Sequence, residues 1–200
     1  MEDIIIRKET EKDYRATEEL TRDAFWNVYR PGCLEHFVLH NYRSREDFLP
    51  ELDFVMEKEG RIIGHIMYAR AEIILADGKL PIATFGPLSI AKDMQKKGYG
   101  AELARYSMEK AKDAGFGAVA ITGDIGFYGR LGFVVAKNVG IKYAPDPEAE
   151  YFLIKELKEG YLDGIIGTYE DLDGYTVDEK EAELFDAGFP FREKHSGKLM

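Results

Sequence analysis

A single cysteine, Cys33, stands among 200 residues, so no internal disulfide can form and the disulfide-stapled class of small secreted domains is excluded. No apolar run approaches the roughly 18 residues that span a bilayer. The first residues set charges around Ile4, Ile5 and Ile6 instead of a secretory pattern. A reducing cytoplasm, compatible with thiol chemistry, and no membrane partner are the expectations. Cations are scarce too: 27 Lys and Arg face 37 Asp and Glu, a formal net charge of -10. Without an extended basic stripe to neutralise phosphates, nucleic acid is excluded as a general partner. What is present is a hydrophobic fraction of 45%, enough for a folded core. One domain over 1–158 with a C-terminal extension over 159–200 is the expected organisation.

The most informative stretch is Gln95, Lys96, Lys97, Gly98, Tyr99, Gly100 and Ala101. It follows an apolar strand and opens a helix whose stripe is Leu103, Ala104, Met108 and Ala111, with Gly115 as its stop. A helix start offers unpaired N–H groups and the positive end of the dipole, and glycine lets a diphosphate approach the main chain. Lys92, Arg105, Lys110 and Lys112 add local positive charge to an acidic chain. Two phosphate-binding patterns fail here. Leu103 stands where the dinucleotide fingerprint needs a small third residue, and no Gly-Lys is followed by Ser or Thr at this helix start.

The stretch resembles the acyl-CoA signature Gln/Arg-x-x-Gly-x-Gly/Ala of the Gcn5-related N-acetyltransferase (GNAT) family, with Gln95, Gly98 and Gly100 at the fixed positions. After the next strand, Phe127, Tyr128, Gly129, Arg130, Leu131, Gly132 and Phe133 are similar to the family's aromatic-Tyr-x-x-x-Gly-Phe. The preceding Gly123 and Asp124 look like a predicted bacterial N-acetyltransferase branch, from which Ile125 and Leu131 depart. The element order agrees. A strand at Ile4 to Arg7 precedes a helix opened by Thr10 and Asp13 and broken at Pro31 and Gly32, then a second helix near Leu34 to Asn41. Phe54 to Glu57, Arg61 to Leu75 and Ile82 to Ile90 read as a meander, with a bulge at Gly86 and Pro87, and Ala118 to Thr122 as a buried parallel strand.

The resemblance implies an α/β fold with a mixed sheet, flanking helices, and fourth and fifth strands that splay apart. It implies acetyl-CoA as co-substrate, with pantetheine amides pairing to the backbone around Leu88, Ser89 and Ile90 and the diphosphate resting on Lys96 to Ala101, with Gln95 and Arg130 nearby. Direct transfer to a primary amine follows. An N–H near Leu88 receives the oxyanion, Tyr128 protonates the departing thiolate and Asp124 is the candidate base. A phenol of reference pKa about 10 can protonate a thiolate whose acid lies near 8.5. The acceptor is a small-molecule amine or a peptide amino group. The alternative is a catalytically silent acyl-CoA-binding sensor; a nucleotide-dependent oxidoreductase is a third reading.

Other constellations carry less. His36 and His40 share a helical face, but no third ligand accompanies them and no metal is expected. His65 reads as a packed strand residue and Glu72 as a solvent-facing one. Asp171, Asp173 and Gly174 begin like a calcium loop without its later ligands, so a polar turn is expected. Ile165 to Tyr169 should join the sheet. The aromatic end, with Phe185, Phe189 and Phe191, should cover the substrate cleft or dock on a second subunit as a homodimer, and the sequence leaves both open.

Overall fold

The computed structural model describes residues 4–195; the outermost residues of the expected organisation, 1–3 and 196–200, lie outside them. The order is β1 (Ile4–Lys8), α1 (Tyr14–Phe25), α2 (Glu35–Tyr42), β2 (Phe54–Lys58), β3 (Arg61–Leu75), β4 (Gly78–Ile90), α3 (Tyr99–Asp113), β5 (Ala118–Thr122), α4 (Ile125–Tyr128), β6 (Val134–Val135), β7 (Ile141–Tyr143), β8 (Phe152–Glu156), β9 (Gly167–Tyr169) and α5 (Glu179–Asp186). The chain divides into two units, Met1–Met67 with Pro87–Leu103 and Asp173–Met200, and Tyr68–Gly86 with Ala104–Leu172. Among the described residues no helix is long and apolar enough to cross a membrane.

In the first unit β1 pairs antiparallel with β2 from Ile4↔Lys58 to Lys8↔Phe54, and β2 pairs antiparallel with β3 with a register shift at Met56/Glu57. Val55, Met56, Ile63, Ile66 and Leu39 are fully buried there, each worth about 1.5–3 kcal/mol on removal from water. Thr10 and Asp13 meet ahead of α1: the Asp13 carboxylate accepts from the Thr10 N–H at 2.9 Å and its hydroxyl at 2.7 Å, and Arg7 forks onto the same carboxylate. That fork holds Asp13 well below the usual carboxylate range. Helix α1 stops at Phe25, ahead of the expected break at Pro31, because Asn27 takes φ 60 and its side-chain oxygen accepts the Gly32 N–H at 2.8 Å.

The same unit includes the C-terminal segment from Asp173. Phe185 and Phe189 pack on His36, with ring centroids 5.4 and 5.1 Å away. Arg22, nearly fully buried, forks onto Asp186 at 2.6 and 3.2 Å, and Trp26 Nε1 donates to the Glu193 carbonyl at 3.1 Å. The aromatic end therefore docks on α1 and α2 of its own chain.

In the second unit β5 pairs antiparallel with β8 at all five residues, from Ala118↔Glu156 to Thr122↔Phe152. With β4 it pairs in parallel only at Ala83↔Val119 and Thr84↔Ala120. The ladder between them ends at Thr84, and Gly86 takes φ 149 just after. Strand β6 adds to β8, and β9 joins both β7 and β3, so the apolar run ending at Tyr169 does enter the sheet. Ala71, Ile73, Ile82, Ala120 and Ile154 form the core, capped by Tyr143 and Tyr169 stacked on Phe152 at 5.1 and 4.8 Å.

Candidate functional site

The anion loop lies in the first unit. A one-turn 3-10 segment, Lys92–Met94, stands between β4 and the loop where the sequence suggested direct succession. Gln95 then turns its amide back, and Nε2 donates to the Ile90 carbonyl at 3.0 Å. The side chain of Gln95 therefore fastens the end of β4 to the loop. Lys96 takes φ 61 and Gly98 φ 94, and the Gly98 carbonyl accepts the first helical bond of α3 from Glu102 at 3.0 Å. A Cβ on Gly98 would meet nothing within 4 Å. The requirement for glycine here is its backbone angle, not crowding. The N–H groups that open α3 have no carbonyl four residues back within the helix, so they point out of its first turn.

Lys96, Lys97 and Gly98 are exposed, Gly100 and Ala101 half-buried. The hydroxyl of Tyr99 lies 3.4 Å from Lys58 Nζ. Two acids lie near in sequence: Glu102 is exposed in the first turn of α3, and Asp93 is forked by Arg61 at 2.8 and 2.9 Å, which lowers its carboxyl from the usual range and pairs its charge. On β4, Ser89 is buried and its hydroxyl donates to Thr21 on α1 at 2.9 Å, while its neighbour Leu88 is half-buried. What Ser89 can offer a ligand is its main chain.

The tyrosine motif lies in the second unit. The Gly123 N–H donates to the Tyr151 carbonyl at 2.8 Å, carrying the β5–β8 pairing one residue past the strand. Asp124 then caps α4: its carboxylate accepts from the Gly126 N–H at 2.9 Å, and its carbonyl accepts from Phe127 and Tyr128 at 3.0 and 2.9 Å. The half-buried ring of Tyr128 is walled by Phe127, Phe133 and Phe85, at 4.8, 5.5 and 6.0 Å between centroids. A Cβ on Gly123 would fall 2.5 Å from Tyr128 Cε2, so glycine is what admits the ring. Arg130 is exposed and borders a cavity of about 360 Å³ shared with Arg105, Lys112, Lys155, Met108 and Glu109, where partial burial lowers Lys155.

The remaining candidates go to structural partners. Glu72 is exposed and pairs with Lys79 at 2.6 Å across the hairpin. His36 is buried 3.1 Å from Asp186, in poor alignment for a hydrogen bond, whereas His40 meets Glu18 at 2.9 Å, so the two imidazoles serve different acids. Burial pushes His36 down to about 4 and raises the Cys33 thiol far above its ordinary value. Asp171 accepts from the Tyr143 hydroxyl, and Asp173–Tyr175 is a single 3-10 turn. A buried group that sequence reasoning missed joins Glu9, Asp53 and His65, whose side-chain N and O atoms lie within 4.8 Å of one another. Their positions share no periodicity that could have announced it.

A model of the family described as Acetyltransferase (GNAT) family matches residues 17–133. A GNAT family N-acetyltransferase (YhbS) from Escherichia coli, in complex with CoA, is similar with a TM-score of 0.76 at 21% identity, over 88% of this chain and 93% of that one. A GNAT family acetyltransferase from Brucella melitensis, in complex with acetyl-CoA, gives 0.68 at 22% identity over 88% and 100%. The ribosomal-protein-S18-alanine N-acetyltransferase of Escherichia coli gives 0.53 at 14% over 79% and 96%. No curated protein matches the sequence. With the family model covering more than half of the sequence, the chain belongs to the GNAT family of acetyltransferases.

Proposed function

We propose that the protein transfers an acetyl group from acetyl-CoA to a primary amine by direct attack within a ternary complex. The observation that carries this reading is the Gln95-to-Ala101 loop, where Gly98 at φ 94 opens α3 among exposed lysines. Such a helix start suits a diphosphate, and similar structures were determined with CoA and acetyl-CoA. The backbone around Leu88 and Ile90 is the natural partner for pantetheine amides, although Gln95 already uses one acceptor position of the Ile90 carbonyl.

In the proposed reaction the neutral amine nitrogen bonds to the thioester carbonyl carbon, and the oxyanion draws on a main-chain N–H near Leu88. The carbon–sulfur bond then breaks. Tyr128 gives its phenolic proton to the thiolate, and the nitrogen loses its surplus proton to water or, through water, to the exposed Asp124. Among the acceptor's features only the amine is specified by this chemistry; the overall charge of -10 favours one that carries positive charge elsewhere.

Tyr128→Phe tests the reading against a silent sensor. Acetyl-CoA should still raise the melting temperature as in the wild type, while thiol release with an accepted amine should fall on the order of 100-fold. Unchanged turnover across pH would remove Tyr128 from the chemistry, and protection by NAD but not by acetyl-CoA would refute the acetyltransferase reading itself.

A further inference from the structure

Beneath α1 and α2, away from the anion loop in sequence, lies the most heavily charged buried cluster of the first unit. The side chain of Glu9 is fully buried, as is that of His65; Asp53 is 4% exposed and Arg43 6%. Arg43 forks onto Glu9 through Nε at 3.1 Å and Nη2 at 2.9 Å and reaches Glu18 through Nη1 at 2.8 Å. Thr17 donates to Glu9 as well. His65 Nε2 lies 2.8 Å from Asp53 and 3.6 Å from Glu9, and an oxygen of Asp53 lies within 4.8 Å of one of Glu9.

Charge does not balance if every acid here is ionised. Three carboxylates, Glu9, Asp53 and Glu18, face one guanidinium; His40, half-exposed, serves Glu18. His65, 2.8 Å from Asp53, adds at most one positive charge, so the three carboxylates still outnumber the cations that face them. Tyr14, under Arg43 at 3.8 Å, also faces the cluster and is pushed up by burial. The surplus negative charge therefore falls on two adjacent buried carboxyls, whose joint ionisation is unfavourable.

We infer that Glu9 and Asp53 hold one proton between them, and that this buried proton acts as a pH-sensitive latch joining α1 and α2 to β1, the start of β2 and β3. Burial raises Glu9 to about 7, with Asp53 reinforcing the shift and His65 and Arg43 opposing it. The folded chain thus keeps a proton that the unfolded chain gives up near 4.5. The latch contributes fully below that value and is lost as pH rises through about 7. His36 acts in the opposite sense: held down to about 4 by burial, it costs stability as pH falls from about 6.5.

Urea midpoints of wild type and Glu9→Gln, taken from pH 5.5 to 8.5, separate these contributions. Glutamine keeps the acceptor for Arg43 and supplies a permanent donor toward Asp53. The wild-type midpoint, relative to the variant's, should fall from pH 5.5 to about 7 and level off above it, and the variant should match or exceed wild type at pH 8. Parallel curves would overturn the latch. If the variant does not fold, the 13C resonance of the wild-type Glu9 carboxyl decides: a midpoint near 7 supports the inference and one below 5 overturns it. Stabilisation of wild type by zinc or manganese that vanishes in Asp53→Asn would also overturn it, since a cation and not a proton would then balance the charge.

Discussion

Tyr128 shows how a side chain can be positioned by a neighbour's lack of bulk. Its ring is walled by three phenylalanines and occupies the space where a Cβ of residue 123 would stand. Gly123→Ala should displace the ring, costing about 1–3 kcal/mol of stability. Turnover should fall further than acetyl-CoA affinity, which paired denaturation and kinetic measurements would show. Loss of affinity alone would mean that the tyrosine is packing and not chemistry. The motif around Tyr128 was legible because its residues are neighbours in sequence. Glu9, Asp53 and His65 were not, since only the pairing of three strands brings them together, and Arg43 arrives from a helix end that carries no pattern.

Helix α3 was the most legible element. Leu103, Ala104, Met108 and Ala111 are all buried as their spacing requires. Ser107 joins them, which no apolar count could foresee, because its hydroxyl meets the buried Tyr68 hydroxyl at 2.9 Å and the Ala104 carbonyl at 3.0 Å. On the buried face of α1, Glu18 and Arg22 stand beside Thr17 and Thr21, and the partners of those two charges, Arg43 and Asp186, lie far along the chain. At the start of α3, Lys96 pays a backbone penalty for its φ of 61. Lys96→Gly should raise stability by about 1 kcal/mol, the left-handed cost of a side chain. It should also weaken acetyl-CoA binding and flatten the dependence of that binding on salt. Equal affinity and equal salt dependence would place the diphosphate outside this loop.

For the molecule as a whole, the C-terminal residues carry more than their position suggests. Asp173 onward belongs to the first unit, whereas Glu159 to Leu172 belongs to the second, so the expected extension contributes to both. Its aromatic content was legible; its docking place was not, because Asp186 and Glu193 are ordinary residues until Arg22 and Trp26 meet them. Asp186→Ala would leave the nearly buried Arg22 without its partner and should cost about 3–5 kcal/mol, read as a lower urea midpoint. A change within 0.5 kcal/mol would show the contact to be incidental. The sole tryptophan, Trp26, sits 8% exposed with its indole N–H on Glu193 and the Arg22 guanidinium 4.2 Å over its ring. The chain therefore carries its own fluorophore at the place where the tail is fastened. Detachment should send its emission to longer wavelength without any label being attached.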